Sequence, residues 1–343
     1  MILVTGGTGM LGARLLFDLV SRGEQVRAIR RKSSDIGLVR RIFSWYGSEG
    51  TTLFDAIEWV EADMLDRDSL RPALAGVDKI FHLAALVSFD PRERAQMIHI
   101  NSEGTLNIAE LAIEEGVQRF CHVSSIAALG ETSAGIVTNE ATGWSSDSHH
   151  SAYSESKFRS EMEVWRTFYN GLEGVIVNPS VILGPGNWHN GSPKFFETID
   201  KGLRFYTIGG TGFVDAADVS RAMIELLFHR EWEKVKGNRF ILNSCNLLYR
   251  DFFNKIADSL GKPRPKYQAG VHMMNFVWRL LKLGSWFTGK PPLITRDTAR
   301  SSSSVSLYDG SKIDQVIGFR YTPIDHTIQK IADIYIKERR NNR

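Results

Sequence analysis

Thr5-Gly6-Gly7-Thr8-Gly9-Met10-Leu11-Gly12 decides the reading of this 343-residue chain. The stretch follows a short apolar run, Met1–Thr5, and opens a helical pattern from Met10 to about Ser21. In a strand–turn–helix unit that carries a pyrophosphate, each glycine answers a separate need. Gly6 permits the tight turn, Gly9 lets the backbone approach the phosphates, and Gly12 lets the helix pack close to the strand. The first N–H groups of the helix and the positive end of its dipole then face the anion, so Thr8, Met10 and Leu11 belong to the same cradle. Glycine is common here, at 30 residues, and the weight of the motif comes from its place between a strand and a helix.

Outward from the turn, strand and helix signals alternate. Gln25–Arg30, Ile57–Val60, Lys79–Leu83, Arg119–Val123 and Gly174–Asn178 read as further strands. Long helices are expected over Arg92–Glu115, stopped by Gly116, and over Ser151–Tyr169. Strands separated by helices pair in parallel through right-handed crossovers, which predicts an α/β fold: a Rossmann-type doubly wound parallel sheet. The rhythm breaks after Asn178 and returns over Val214–Phe228 and Arg239–Asn243. The expected organisation is a dinucleotide-binding domain over 1–178, with 214–243 returning to it. A smaller, discontinuous substrate-binding domain is expected over 179–213 and 244–343, above the carboxyl edge of the sheet.

The second strand of such a unit commonly ends near an acid that binds the ribose 2′-hydroxyl of NAD. Here Arg30, Arg31 and Lys32 stand in that place. Cations cannot accept a hydrogen bond from a hydroxyl, but arginine binds a phosphate with two. NADP is therefore the expected cofactor and NAD the alternative; the bland reading is a solvated basic face.

Tyr153-Ser-Glu-Ser-Lys157 places a phenol and an ammonium on one helix face. Hydride transfer at a carbonyl carbon needs a proton moved at the oxygen, and a free tyrosine with a pKa near 10 is a poor base at neutral pH. A nearby ammonium, helped by an oxidised nicotinamide, is expected to lower it, while a serine hydroxyl holds the same oxygen. Ser124-Ser125 ends the preceding strand. The spacing alone is weak, because Tyr308-Asp-Gly-Ser-Lys312 repeats it. That copy contains a glycine and has no strand-end serine before it, so it is taken as structural.

On these residues the chain resembles the extended short-chain dehydrogenase/reductases, the NAD-dependent epimerase/dehydratase family. The resemblance runs through residues 5–12, Asp63-Met-Leu-Asp66, His82-Leu-Ala-Ala85, Asn101–Thr105, Val123-Ser-Ser125, Tyr153 and Lys157, Asn178-Pro179 and Gly212–Asp218. It implies Ser125, Tyr153 and Lys157 as the catalytic set, with Ser124 as the fallback serine. It also implies Asp63 and Met64 beside the adenine, Leu83, Ala84, Ala85 and Val123 along the cofactor, and Pro179 and Ile182 beside the nicotinamide. Asn101 would support the active-site helix. Asp63 or Asp66 could instead cap a helix, and His82 reads better as a buried, satisfied histidine than as a catalyst. His149 and His150 lack a second ligand cluster, so no metal is expected.

The branch is read from departures. After the serine pair the chain has Ala128-Leu129-Gly130, where sugar-nucleotide epimerases carry V-Y-G, and it has cations after the second strand. Val26–Arg31 resembles the dihydroflavonol reductase branch, close to the 3β-hydroxysteroid dehydrogenases. The expected activity is NADP-dependent reduction of an aldehyde or ketone on a small apolar substrate. The alternatives are a nucleotide-sugar epimerase or dehydratase and a non-catalytic NADP-binding regulator. Phe195, Phe196, Phe205, Tyr206, Phe213 and the apolar stretch Met273–Phe287 read as core, lid or an interfacial helix.

Composition bounds the rest. A net charge of +3 gives no case for nucleic acid. Two cysteines cannot staple the chain and fit a reducing, cytoplasmic setting. No leader and no membrane span is expected, since Arg279 and Lys282 interrupt the most apolar stretch; contact with a membrane surface stays open. The resemblance implies a homodimer paired through Arg92–Glu115 and Ser151–Tyr169.

Overall fold

The computed structural model describes residues 1–47, 49–88, 90–130, 132–133, 135–145, 150–270, 273, 278–279 and 300–341. The chain runs β1 (Ile2–Thr5), α1 (Met10–Ser21), β2 (Val26–Arg30), α2 (Ile36–Tyr46), α3 (Gly50–Asp55), β3 (Glu58–Glu61), α4 (Arg67–Leu74) and β4 (Lys79–His82). It continues through α5 (Arg94–Glu114), β5 (Arg119–Val123), β6 (Val137–Thr138), α6 (Ala152–Tyr169), β7 (Gly174–Pro179) and β8 (Val181–Leu183). Then come α7 (Lys194–Asp200), β9 (Phe205–Thr207), β10 (Gly210–Asp215), α8 (Ala216–Leu227), β11 (Arg239–Leu242), β12 (Cys245–Leu248) and α9 (Tyr249–Ser259). The last elements are β13 (Tyr267–Ala269), β14 (Leu307–Tyr308), α10 (Lys312–Ile317) and α11 (Ile324–Asn341).

Seven strands form one parallel sheet in the order β11-β7-β5-β4-β1-β2-β3. β1 is buried along its whole length. Ile2 and Val4 face one core, with Leu15, Leu16, Leu19, Phe43 and Met223, while Leu3 faces the other, with Leu70, Ile108, Leu111 and Val164. Each fully buried leucine contributes about 1.5–3 kcal/mol by leaving water. Helices therefore cover both faces, the doubly wound arrangement expected from the alternation of strands and helices.

Three helices that periodicity did not reveal, α2, α3 and α4, lie between β2 and β4. Local capping starts two of them: the Asp35 side chain accepts from Leu38 N at 3.1 Å and Asp66 accepts from Asp68 N at 3.1 Å. Strand ends move by about a residue: β4 stops at His82, one short of Leu83, and β3 runs Glu58–Glu61. A 3₁₀ turn, Pro91–Glu93, precedes α5, and Gly116 at φ 70° follows it.

After β7 the chain leaves the main sheet. β10 pairs in parallel with β8 and antiparallel with β12 in a separate three-stranded sheet. α8 returns to pack on α1, where Ser220 Oγ donates to Asp18 at 2.6 Å. β11 then completes the large sheet beside β7. A third core joins Leu183, Phe196, Phe213, Phe252, Ile256, Ile328 and Ile331 from β8, α7, β10, α9 and α11.

Candidate active site at the carboxyl edge of the sheet

The sheet changes winding direction between β1 and β4, and the loops after these strands meet there. Gly6 has φ 71°, and a Cβ on it would lie 2.7 Å from Ala84 N, so the glycine turn presses directly on the loop after β4. A Cβ at Gly12 would lie 2.2 Å from Gly6 O; Gly12 packs against the turn itself. Gly9 differs. A Cβ there would meet only Gly6 O, at 3.5 Å, so the chain's own packing does not require glycine. Gly9 is exposed and starts α1 without a side-chain cap or a first-turn acid. The N-terminal amides of α1 thus face outward, as an anion site needs. Met10 closes one side, within 3.4 Å of where Cβ atoms of Gly184 and Gly186 would stand.

Around this turn, Leu83 N and Ala84 N both donate to Thr5 Oγ1, at 3.2 and 3.1 Å. His82 is buried, hydrogen-bonded to Thr5 Oγ1 at 2.7 Å and Thr105 Oγ1 at 3.0 Å. Burial pulls its pKa down to about 3, so its ring is a structural, uncharged brace. Arg30 lies 3.8 Å from Glu61 on the neighbouring strand, while Arg31 and Lys32 are exposed. The basic trio therefore stands next to an acid that the local sequence did not reveal. Asp66 takes the capping role, leaving Asp63 exposed with Oδ1 accepting from Leu65 N at 2.9 Å. Met64 packs against α5 at Gly104, and its carbonyl accepts from Asn107 at 3.0 Å.

α6 begins at Ser151, whose hydroxyl accepts from Ser154 N at 3.1 Å. It carries Tyr153 and Lys157 one turn apart. The two serines after β5 divide: Ser124 Oγ is buried and donates to Glu161 at 2.6 Å, whereas Ser125 hydrogen-bonds Tyr153. Ser125 Oγ also accepts from Ala127 N at 3.1 Å. Lys157 is 5% exposed, and its Nζ donates to Val123 O at 2.9 Å. Burial brings the ammonium down to about 8, opposed by Glu161. The expectation that Lys157 lowers Tyr153 is not met within the chain. Burial raises the Tyr153 phenol above its ordinary value, and the hydrogen bond with Ser125 only partly offsets it. The ammonium is turned to a backbone carbonyl instead. Tyr153 is thereby held as a phenol at neutral pH, the state of a proton donor rather than a base.

Asn101 joins the loop after β4 to α6: its Nδ2 donates to Leu86 O at 2.9 Å and Ser156 Oγ at 3.1 Å, and its Oδ1 accepts from Leu86 N at 2.7 Å. Pro179 is buried at the end of β7, and Ile182 on β8 packs against the first core. The aromatic residues of the middle segment separate: Phe196 and Phe213 are core, while Phe205 is exposed and packs on Tyr267. His150 stacks on Trp144; His149 and most of the 273–287 stretch lie outside the described residues. Glu161, Asn178 and Arg239 form a buried polar cluster behind the tyrosine and lysine that the sequence reading missed. Its one local signal is that Glu161 falls four residues after Lys157, on the same helix face. Among the described residues, no helix is long and apolar enough to cross a membrane.

A parallel sheet of this order with a glycine turn at its change of direction is a dinucleotide-binding fold, and the relatives of this chain place it in a class, the NAD(P)-dependent oxidoreductases of the extended short-chain dehydrogenase type. The chain belongs to the NAD dependent epimerase/dehydratase family, whose model matches residues 2–240. It is 29% identical over 335 residues to a Synechocystis protein provisionally named dihydroflavonol 4-reductase, covering 96% of this chain and 92% of that one. It is 31% identical over 274 residues to sterol demethylase protein B of Methylococcus capsulatus, covering 79% and 78%. It is 24% identical to 3beta-hydroxysteroid-dehydrogenase/decarboxylase isoform 1 of Arabidopsis thaliana, covering 97% and 79%. Among solved structures, that of gox2253 superposes with a TM-score of 0.79 at 27% identity, covering 98% of each chain. A UDP-glucose 4-epimerase from Thermotoga maritima shares the fold, with a TM-score of 0.76 at 20% identity over 98% of this chain and 99% of that one.

Proposed function

We propose that this chain is an NADP-dependent reductase of a ketone or aldehyde on an apolar, ring-containing substrate. The carrying observation is Tyr153 in hydrogen-bond contact with Ser125, one helical turn from Lys157, which is buried and donates to the Val123 carbonyl. The residues present suit the cofactor: Gly9 and the uncapped start of α1 for the pyrophosphate, Arg30 and Arg31 for the 2′-phosphate, Asp63 and Met64 for the adenine. Thr8, Leu11, Leu83, Ala84, Ala85, Val123, Pro179 and Ile182 complete that reading. When bound, the reduced nicotinamide supplies the hydride. Ser125 holds the substrate oxygen, Tyr153 delivers a proton to it, and Lys157 holds the ribose hydroxyls and restores the charge balance beside Tyr153.

The apolar substrate class is supported by the sterol and steroid names of the relatives. Pairing of two copies through α5 and α6 belongs to the same reading; Ile113, Met162 and Tyr169 are exposed apolar residues on those helices. Glu61 beside Arg30 favours a second reading, in which NAD is taken and the acid receives the ribose hydroxyl.

The test is made on the purified protein: release and identify any nucleotide, titrate NADPH and NADH separately, then offer sterol ketones and flavanonols. NADPH bound about tenfold tighter or better, with hydride passed to such a ketone, is the expected result. Retained NAD with turnover of a nucleotide sugar would overturn the assignment.

A further inference from the structure

Glu161 is 1% exposed and accepts four hydrogen bonds. Oε2 receives Ser124 Oγ at 2.6 Å and Asn178 Nδ2 at 2.8 Å; Oε1 receives Arg239 Nη1 at 3.1 Å and Trp165 Nε1 at 3.3 Å. A buried carboxylate is tolerated where a cation and further donors meet it. Arg239 is itself immobilised, donating to the carbonyls of Glu140 and Thr142. The Asn178 amide nitrogen that reaches Glu161 also donates to Ser125 O at 3.0 Å. One carboxylate therefore ties α6 to β5, β7 and β11 at the point where Ser125 leaves the sheet. It also lies on the face of α6 that carries Tyr153 and Lys157, at successive turns.

We propose that Glu161, paired with Arg239, is a positioning residue for the reaction assigned above: it fixes the Ser125 backbone through Asn178 and supplies the negative charge that keeps Lys157 an ammonium. This inference rests on that assignment. Among the described residues, the groups facing Lys157 are Tyr153 and Glu161 on its own helix, His82 on β4, and His122 and the Val123 carbonyl on β5; Arg239 on β11 lies beyond Glu161. Burial keeps both histidine rings neutral, so Glu161 supplies the compensating charge.

The test is Glu161→Gln, which keeps the volume and removes the charge. Lysine labelled with ¹³C, with the Lys157 signal assigned by its loss in Lys157→Met, reports the titration of Lys157 without turnover. Its midpoint should fall by about one pH unit from the native position, and the alkaline limb of kcat should move with it. Under the same change, kcat should drop about tenfold while KM for the ketone stays within about twofold. A folded Glu161→Gln protein with an unmoved lysine midpoint would overturn the proposal, whatever its activity. Should the single variant fail to fold, Glu161→Gln/Arg239→Met removes both charges; loss of the more distant cation offsets only part of the change, so a smaller fall supports the proposal and an unmoved or raised midpoint overturns it. Full turnover by Tyr153→Phe would sink the reaction itself, and the lysine titration would still judge Glu161 separately.

Discussion

The chain contains the spacing Tyr-x-x-x-Lys twice, and the two copies fold differently. Tyr153 and Lys157 sit one turn apart inside α6, an unbroken helix, so both side chains share a face. Tyr308 ends strand β14, Gly310 packs where a Cβ would lie 2.5 Å from Asn243 O, and Lys312 is the first residue of α10. Strand, turn and helix start point the two residues of the second copy apart. Lys157 is buried on the Val123 carbonyl; Lys312 donates to Asn238 Oδ1 at 2.9 Å and Arg239 O at 3.0 Å. The proposed chemistry thus rests on helical periodicity and the serine opposite, not on the letters. The second copy supports the first at a distance, because it grips β11, whose Arg239 pairs with Glu161.

The sharpest break of this comparison is the phenol. Tyr153→Phe should lower turnover by about 10² or more with NADPH binding retained, whereas Tyr308→Phe should stay within about twofold. Equal losses in the two variants would dissolve the distinction.

Next comes the glycine turn that serves the first copy. Gly9→Ala should keep the melting temperature within about 2 °C, because its Cβ has room, yet weaken NADPH about tenfold or more by crowding the pyrophosphate. Gly12→Ala should lose several degrees in the same melting scan, since its Cβ cannot fit beside Gly6 O. A Gly9→Ala protein that binds NADPH normally would remove the phosphate cradle.

A smaller effect separates the cofactors. Arg30→Ala/Arg31→Ala should weaken NADPH about tenfold and NADH by less than about twofold, measured by titration. Parallel weakening would leave Glu61 and the NAD reading in front.

The smallest effect lies in the alkaline stability of the two lysines. Folding lowers the Lys157 pKa from 10.5 to about 8. Between those values the unfolded chain holds the proton that the native chain has released. Stability contributed by this group therefore rises with pH across that window. Lys157→Met should flatten that rise in denaturation midpoints measured between pH 8 and 10. Lys312 is lowered by burial too, but it is only half-buried, so Lys312→Met should flatten the rise less.

Much of the architecture could be read along the chain. The glycine turn, the parallel strands, α5 and α6 all carry local signals: apolar runs of strand length, glycine stops and a capping serine. What escaped depended on partners far away in sequence. Glu161 looks like any helix-surface glutamate until Arg239, 78 residues on, arrives beside it. Glu61 became relevant to Arg30 only through the pairing of β2 with β3. Phe196 and Phe213 read first as core, with a pocket or lid as the alternative, and the contacts from α9 and α11 make them core. The rise in Tyr153 was illegible for the same reason, since desolvation is a property of the assembled site and motif chemistry considers only the ammonium.

The packing of α8 on α1 sets a timetable for synthesis. Leu15, Leu16 and Leu19 share their core with Val219, Ala222, Met223 and Leu226, which are made about 200 residues later. At about 5–20 residues per second, that apolar stripe waits on the order of 10–40 s for its cover during translation. A nascent chain halted before Ala216 would present the stripe to chaperones, so this core cannot close until residues 216–227 have been made.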